Sequence, residues 1–173
     1  AMLINGARSV SNTYHPRTGG ESNAQGWGLI NLTNSLPAAP FGEEGESGSA
    51  RFLNQSVDTA VTTGEERSWR LTFTEEALAS DLRLTLVWTD PPGNPAAGIK
   101  LVNDLDLVVT NTLPGTEVEG EDGEPTIVGA VTNVYLGNRF EVNEDYVRPL
   151  GEGEDRVTDI VNNVENVFIR GPL

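Results

Sequence analysis

The side chains best suited to chemistry lie at residues 101–109, where two aspartates alternate with apolar residues. Asp104 and Asp106 are two positions apart, so in a strand their carboxylates share one face. Two adjacent carboxylates repel each other unless a cation, an arginine or hydrogen-bond donors lie between them. Calcium prefers oxygen ligands of this kind. The same pattern is also that of a solvated acidic face with an asparagine bonded to a loop backbone, and both interpretations stay open.

A second polar stretch, residues 159–166, carries three asparagines, an aspartate and a glutamate at the start of an apolar segment. Local hydrogen bonds from such side chains commonly shape a strand entry or a β-bulge. The alternative is a second oxygen-rich cation site. The candidate calcium ligands from both stretches are Asp104, Asp106, Asp159, Asn163 and Glu165.

Two other polar residues are interpreted without chemistry. Asn138 follows a turn glycine and is able to adopt positive φ, which is a conformational role. His15 is the one histidine of the chain and lies in a polar segment next to a proline. A histidine without a partner is uninformative, so we interpret it as a loop residue.

The composition excludes several classes of protein. The chain of 173 residues has 26 acidic and 11 basic residues, a formal net charge of −15, and no cysteine. Phosphate binding needs a cationic surface, so neither nucleic acid nor an anionic membrane is an expected partner. Disulfides and thiolate sites are excluded. No apolar run approaches the roughly 20 residues that span a bilayer, and the first residues do not form a secretory signal.

The elements that must position these side chains are mainly β-strands. Apolar residues alternate at 67–74, with Trp69 on a core face, and again at 82–88. Further strands are predicted at 101–110, 126–135 and 162–169, and one helical turn at 75–80, with many Gly, Pro, Asn and Asp residues between them. This pattern predicts an antiparallel β-sandwich of the jelly-roll kind.

Three parts are expected along the chain. Residues 1–36 contain short helical elements, with a predicted helix end at Gly6, and too little apolar sequence to form a core of their own. Residues 37–49 are rich in Pro, Gly and Glu and are predicted to be a linker. Residues 50–173 form the sandwich. Both ends of the chain look cut. At the C-terminal end, the last strand enters a Gly-Pro turn without a following partner strand.

Several motifs together resemble one family. The motifs are residues 2–7 (MLINGA), 26–32 (GWGLINL), 86–92 (LVWTDPP), 101–107 (LVNDLDL), 135–138 (YLGN) and 162–167 (NNVENV). The first two resemble the end of a subtilisin-like serine protease catalytic domain. The others resemble the β-sandwich that follows it in the large alkaline subtilases of the KP-43 type.

The resemblance implies an extracellular parent protein that cleaves peptide bonds in protein substrates, uses an Asp-His-Ser triad and binds calcium. It also implies that the sandwich packs on the catalytic domain of the same parent chain. The family's serine lies in a Gly-Thr-Ser-Met-Ala-type motif upstream of the matched segment, and this sequence contains none of the triad motifs. His15 matches no catalytic position. We therefore expect this chain to be inactive alone.

A second function class stays open, because sandwiches serve many purposes. A non-catalytic binding module for glycan or protein would need an exposed aromatic face, whereas Trp69 and Trp88 are predicted to face the core. A calcium-stabilised structural repeat would need tandem copies, and the sequence shows none.

Overall fold

The computed structural model describes residues 1–8, 26–36, 46–47, 50–113, 115–119, 124–140 and 144–171. This part of the chain is mainly β with a few short helices, which confirms the predicted mainly β class, while the jelly-roll connectivity stays a prediction. The helices are α1 (Met2–Asn5), α2 (Leu32–Ser35), α3 (Glu75–Leu78) and a 3-10 turn at Val57–Thr59. The strands are β1 (Glu46–Ser47), β2 (Ala50–Arg51), β3 (Leu82–Val87), β4 (Val108–Leu113), β5 (Thr116–Glu119), β6 (Pro125–Val128), β7 (Val131–Leu136) and β8 (Val164–Ile169).

Every strand pair is antiparallel. The pairs are β1 with β2, β3 with β8, β4 with β7, and β5 with β6. The pairs β3–β8 and β4–β7 contribute to one apolar cluster, and packing two antiparallel layers on a shared core is the arrangement of a β-sandwich. The cluster contains Tyr135, Val147, Val167 and Ile169, with Leu82, Leu107, Val109 and Phe140 packed against it.

Strand β8 is buried along its whole length. Its core face carries Glu165, Val167 and Ile169, opposite the leucines of β3, while Asn166 and Phe168 point to the other face. The guanidinium of Arg83 lies 4.4 Å from the centre of the Phe168 ring on that outer face. Both faces of β8 are therefore covered by protein.

The N-terminal helices form a small unit on the outer face of β3. The Asn31 side chain caps α2 by accepting from Asn34 N, and Arg8 pairs with Leu29 in an isolated bridge. A Cβ on Gly6 would lie 2.6 Å from the Cα of Ser35, so the two helices meet where glycine has no side chain. The helical end expected at Gly6 is confirmed.

The unit is attached to the sandwich by reciprocal hydrogen bonds. Arg83 Nη1 donates to the carbonyls of Asn5 and Ala7, both at 2.9 Å, and Asn5 Nδ2 donates to Arg83 O at 3.1 Å. Its outward side keeps Leu29, Ile30 and Leu32 about half exposed or more.

Two strand predictions are wrong. Residues 67–74 form no strand, and Trp69, expected on a core face, is 57% exposed. Residues 101–107 also lie outside any strand, and β4 begins only at Val108. Asp104 and Asp106 therefore sit on a loop that leads into β4, where alternation of faces along a strand does not apply.

Other predictions are confirmed or refined. The segment 126–135 is divided by a turn at Gly129, whose φ is +79°, into β6 and β7. The helical turn at 75–80 is α3, capped by Thr74 Oγ1. His15, most of the 37–49 linker and part of the acidic loop at 117–124 lie outside the described residues. Within the described ranges, no helix has the length and hydropathy to cross a membrane.

Candidate functional site

Glu165 is a carboxylate in the sandwich core. It lies on β8 opposite Leu86 and is 1% exposed. The backbone N–H of Leu107 donates to its Oε2. Its Oε1 is buried and has no hydrogen-bond partner among the residues that the structure describes. An ionised carboxylate with one unsatisfied oxygen is costly at such a position, so this side chain calls for a proton or a cation.

Three aspartates act on Glu165. Burial first, and then the negative charges of Asp106, Asp159 and Asp104, raise the pKa of Glu165 to about 8, against the lowering effect of the hydrogen bond from the Leu107 N–H. Glu165 and these three aspartates are here called the acidic cluster. The two stretches identified from sequence therefore meet at one place in the fold.

The carboxyl of Asp104 is affected by burial and by neighbouring charges, as that of Glu165 is. Its pKa is raised by burial first and then by the charges of Asp106 and Asp159. Neighbouring carboxylates that repel one another attract a cation, because the cation relieves the repulsion.

Asp159 is held by several donors. Its Oδ1 accepts from the backbone N–H of Val161 at 2.9 Å and of Asn162 at 3.3 Å. Its Oδ2 accepts from the side-chain amides of Asn162 and Asn138, both at 2.7 Å. These bonds fix the turn that leads into β8 and orient this carboxylate.

Asn138 connects the acidic cluster to β8, a role that the sequence analysis missed. Its φ is +59°, as expected for the residue after the turn glycine, and it is 2% exposed. Its Nδ2 also donates to Val164 O at 2.7 Å, and its Oδ1 accepts from Asn166 N at 2.9 Å. The sequence feature that could have indicated this role is an asparagine at a left-handed position beside an apolar strand. Such an asparagine is as typical of a buried side-chain amide as of a turn.

Asn163 takes part in strand pairing. Its Nδ2 donates to the carbonyl of Trp88 at 3.0 Å, and its own carbonyl accepts from Trp88 N at 3.3 Å. It is exposed and joins the end of β3 to the entry of β8. This candidate ligand has a structural role in pairing the two strands.

The donor chemistry of the acidic cluster suits a hard cation. Three aspartates lie near enough to raise the pKa of Glu165, and Oε1 of Glu165 is an oxygen that lacks a partner in the described part of the chain. Among the described residues, however, no three acidic or histidine side chains converge closely enough to form a ready coordination sphere.

Comparison with known proteins points to proteases. No protein-family model matches the chain. It is similar to three Dictyostelium discoideum proteins named "Serine protease/ABC transporter B family protein" tagD, tagA and tagB. The identity is 29% over 134 residues for tagD, 29% over 116 for tagA and 28% over 136 for tagB.

The similarity covers most of this chain and little of those proteins. It spans 65%, 67% and 65% of this chain, but 7%, 5% and 7% of tagD, tagA and tagB respectively. The matched part thus corresponds to a small section of much longer proteins. The chain is similar to a section of proteins named serine proteases, which is a protease-related context.

Proposed function

We propose that this chain is the C-terminal part of a secreted subtilisin-like serine endopeptidase of the KP-43 type. Its β-sandwich packs on the catalytic domain of the same parent chain and stabilises it, while protein substrates are cleaved there. The similarity to proteins named serine proteases carries the proposal, together with the motifs at 26–32, 101–107 and 162–167. This chain supplies no triad residue in that scheme.

The attachment of the N-terminal helices supports this role. In the proposal, α1 and α2 are the last elements of the catalytic domain, and Arg83 ties them to β3 through Asn5 and Ala7. The half-exposed leucines and isoleucine on the outward side of this unit are then the surface that continues into the catalytic core.

The coding sequence upstream of Ala1 tests the proposal directly. We expect a Gly-Thr-Ser-Met-Ala-type motif within a few tens of residues, preceded by Asp and His motifs. In the purified parent protein, Arg83→Ala should shorten the half-life of peptidase activity on heating, because it removes the two side-chain hydrogen bonds from Arg83 to Asn5 O and Ala7 O. Arg70→Ala, at an exposed position, is the matched control. An upstream sequence without a serine motif would overturn the proposal.

We further propose that the acidic cluster binds calcium. Two observations support this proposal. The buried Oε1 of Glu165 has no hydrogen-bond partner among the described residues, and three aspartates raise the pKa of Glu165. Asp104, Asp106, Asp159 and Glu165 would hold the ion, and its charge would offset their repulsion. Asn163, the fifth candidate from the sequence, uses its Nδ2 in strand pairing, and its Oδ1 stays a candidate ligand.

Thermal unfolding tests the calcium site. The melting temperature should rise in millimolar calcium relative to EDTA, since a ligand that binds the native state stabilises it. Asp104→Ala and Asp106→Ala should reduce this rise, while Asp155→Ala, an exposed aspartate outside the acidic cluster, should retain it. Equal melting temperatures in calcium and EDTA for the unmodified chain would contradict the site.

A binding module for glycan or protein is the second candidate function. One observation favours it: Trp69 is 57% exposed, although its alternating context predicts a core position. Tryptophan is enriched at binding surfaces. Binding of oligosaccharides measured by titration calorimetry, and lost in Trp69→Ala, would favour this candidate over the protease role.

A further inference from the structure

A continuous series of polar contacts runs from helix α1 to strand β8. Asn5 Nδ2 donates to Thr85 Oγ1 at 3.0 Å, and Thr85 Oγ1 donates to Asn166 Oδ1 at 2.6 Å. Thr85 and Asn166 are directly paired across β3 and β8, on the face that α1 covers. The first half of the series therefore crosses from the helical unit into the sheet.

The second half continues to the acidic cluster. Asn166 and Asn138 exchange hydrogen bonds, from Asn166 N to Asn138 Oδ1 at 2.9 Å and from Asn138 N to Asn166 O at 2.8 Å. Asn138 Nδ2 then donates to Asp159 Oδ2 at 2.7 Å. We call this series, Asn5–Thr85–Asn166–Asn138–Asp159, the relay.

The interior of the relay is shielded from water. Asn166 is 1% exposed and Asn138 is 2% exposed, so a broken hydrogen bond there is not replaced by one to solvent. Buried hydrogen bonds in series also polarise one another. A shift of Asp159 therefore changes the free-energy cost of positioning Asn138. The change passes next to Asn166 and then to the Thr85 hydroxyl, which accepts the hydrogen bond from Asn5.

We propose that the acidic cluster and helix α1 are energetically coupled through the relay, so that neutralising the cluster holds α1 more firmly on β3. This inference rests on the proposed cation site and adds a regulatory consequence: cation occupancy controls the attachment of the helical unit to the sandwich. The bistable element is α1, docked or undocked, and both the cluster and the Asn5 contacts bias it.

Hydrogen exchange in the intact chain measures the coupling. The amides of Asn5, Gly6 and Ala7 are bonded within α1 and report its docking. In millimolar calcium their exchange should slow by roughly fivefold or more relative to EDTA. Thr85→Val removes the hydroxyl and should abolish this slowing, Thr85→Ser should restore it, and Thr72→Val is the matched control at an exposed threonine.

The outcomes separate the inference from the calcium site. If calcium raises the melting temperature but leaves exchange in α1 unchanged, the relay is overturned and the calcium site stands. Calcium is not expected to slow exchange in Thr85→Val. If it slows exchange in that variant as much as in the unmodified chain, the coupling follows another route and the relay is again overturned.

A cycle in EDTA decides the case in which calcium has no effect. Asn5→Ala and Asp159→Ala alter opposite ends of the relay, and their combined effect on the unfolding equilibrium constant should differ from the product of the single effects by more than about twofold. The same cycle in a Thr85→Val background should be multiplicative. A multiplicative result in the unmodified background would overturn the coupling.

Discussion

At the scale of single residues, the chemistry concentrates in buried polar groups rather than exposed ones. Glu165 and Asn138 are both nearly inaccessible to water, and one lacks a full set of partners while the other has several. Spacing in the sequence identified Asp104 and Asp106. It could not identify the bond between Asn138 and Asn166, because a contact across 28 positions depends on how the strands pair.

Glu165 gives the calcium-free protein a pH dependence of known sign. Its pKa is raised from 4.5 when unfolded to about 8 when folded, so the native state holds the extra proton. The stability this proton supplies is complete below pH 4.5 and is lost as pH rises to about 8, by roughly 1.4 kcal/mol per pH unit.

In EDTA, the free energy of unfolding of the unmodified chain should therefore fall relative to that of Glu165→Gln between about pH 5 and 8. Urea unfolding at a series of pH values measures the difference between the two proteins, which removes the contribution of the other acidic groups. Parallel pH curves would contradict a raised pKa at this residue.

Substitutions of Asn138 separate its backbone role from its side-chain role. Asn138→Gly should lower the free energy of unfolding by roughly 2–4 kcal/mol, because Asn166 N and Asp159 lose a buried partner. Asn138→Ala should cost about 1 kcal/mol more, since its φ of +59° is strained without glycine. Asn94→Ala, in an exposed turn, is the control in urea unfolding. A loss no larger than that of Asn94→Ala would rule out the network.

At the scale of elements, alternation of apolar residues predicts a strand only where a partner exists. The leucines of β3 face the core as expected, because β8 lies beside them in register. Residues 67–74 alternate equally well, yet no strand forms there. A half-apolar segment becomes a strand through pairing and packing, which the local pattern does not encode.

The contact between α1 and α2 predicts a position where alanine is worse than glycine. Gly6→Ala should lower the free energy of unfolding by roughly 1–3 kcal/mol, because its Cβ would overlap the backbone of Ser35. Gly98→Ala meets nothing within 4 Å and should change it by less than about 0.5 kcal/mol. Urea unfolding compares the two. Equal effects would show that the helices do not meet at Gly6.

At the scale of the whole molecule, several of the cationic side chains bind other groups of the protein. The Lys100 ammonium binds the carbonyl of Pro95 at 2.6 Å and that of Ala97. Arg148 forms a two-point contact with Glu154, and Arg170 lies over the ring of Tyr146. With 26 acidic and 11 basic residues, carboxylates outnumber cationic side chains by 15, whatever their pairing.

This charge balance predicts a stabilising effect of salt. Like charges repel in the compact state, and the Debye length falls from about 30 Å at 0.01 M to about 3 Å at 1 M. In EDTA, the melting temperature should rise across this range of NaCl. Sucrose of equal osmolality controls for changes in water activity. A constant or falling melting temperature in NaCl would show that repulsion between carboxylates is not significant.

The hydrogen bonds at the end of α1 also set how the protein ages chemically. Asn5 precedes Gly6, the dipeptide in which the backbone nitrogen most readily attacks the asparagine amide in a mobile chain. Here the Gly6 N–H is bonded to Met2 O, and the Asn5 amide donates to Arg83 O and Thr85 Oγ1. The rate of deamidation at Asn5 during storage would therefore depend on the fraction of time for which α1 is detached from β3. The aspartate it leaves would have no amide donor to rebind β3, so this damage would be self-reinforcing.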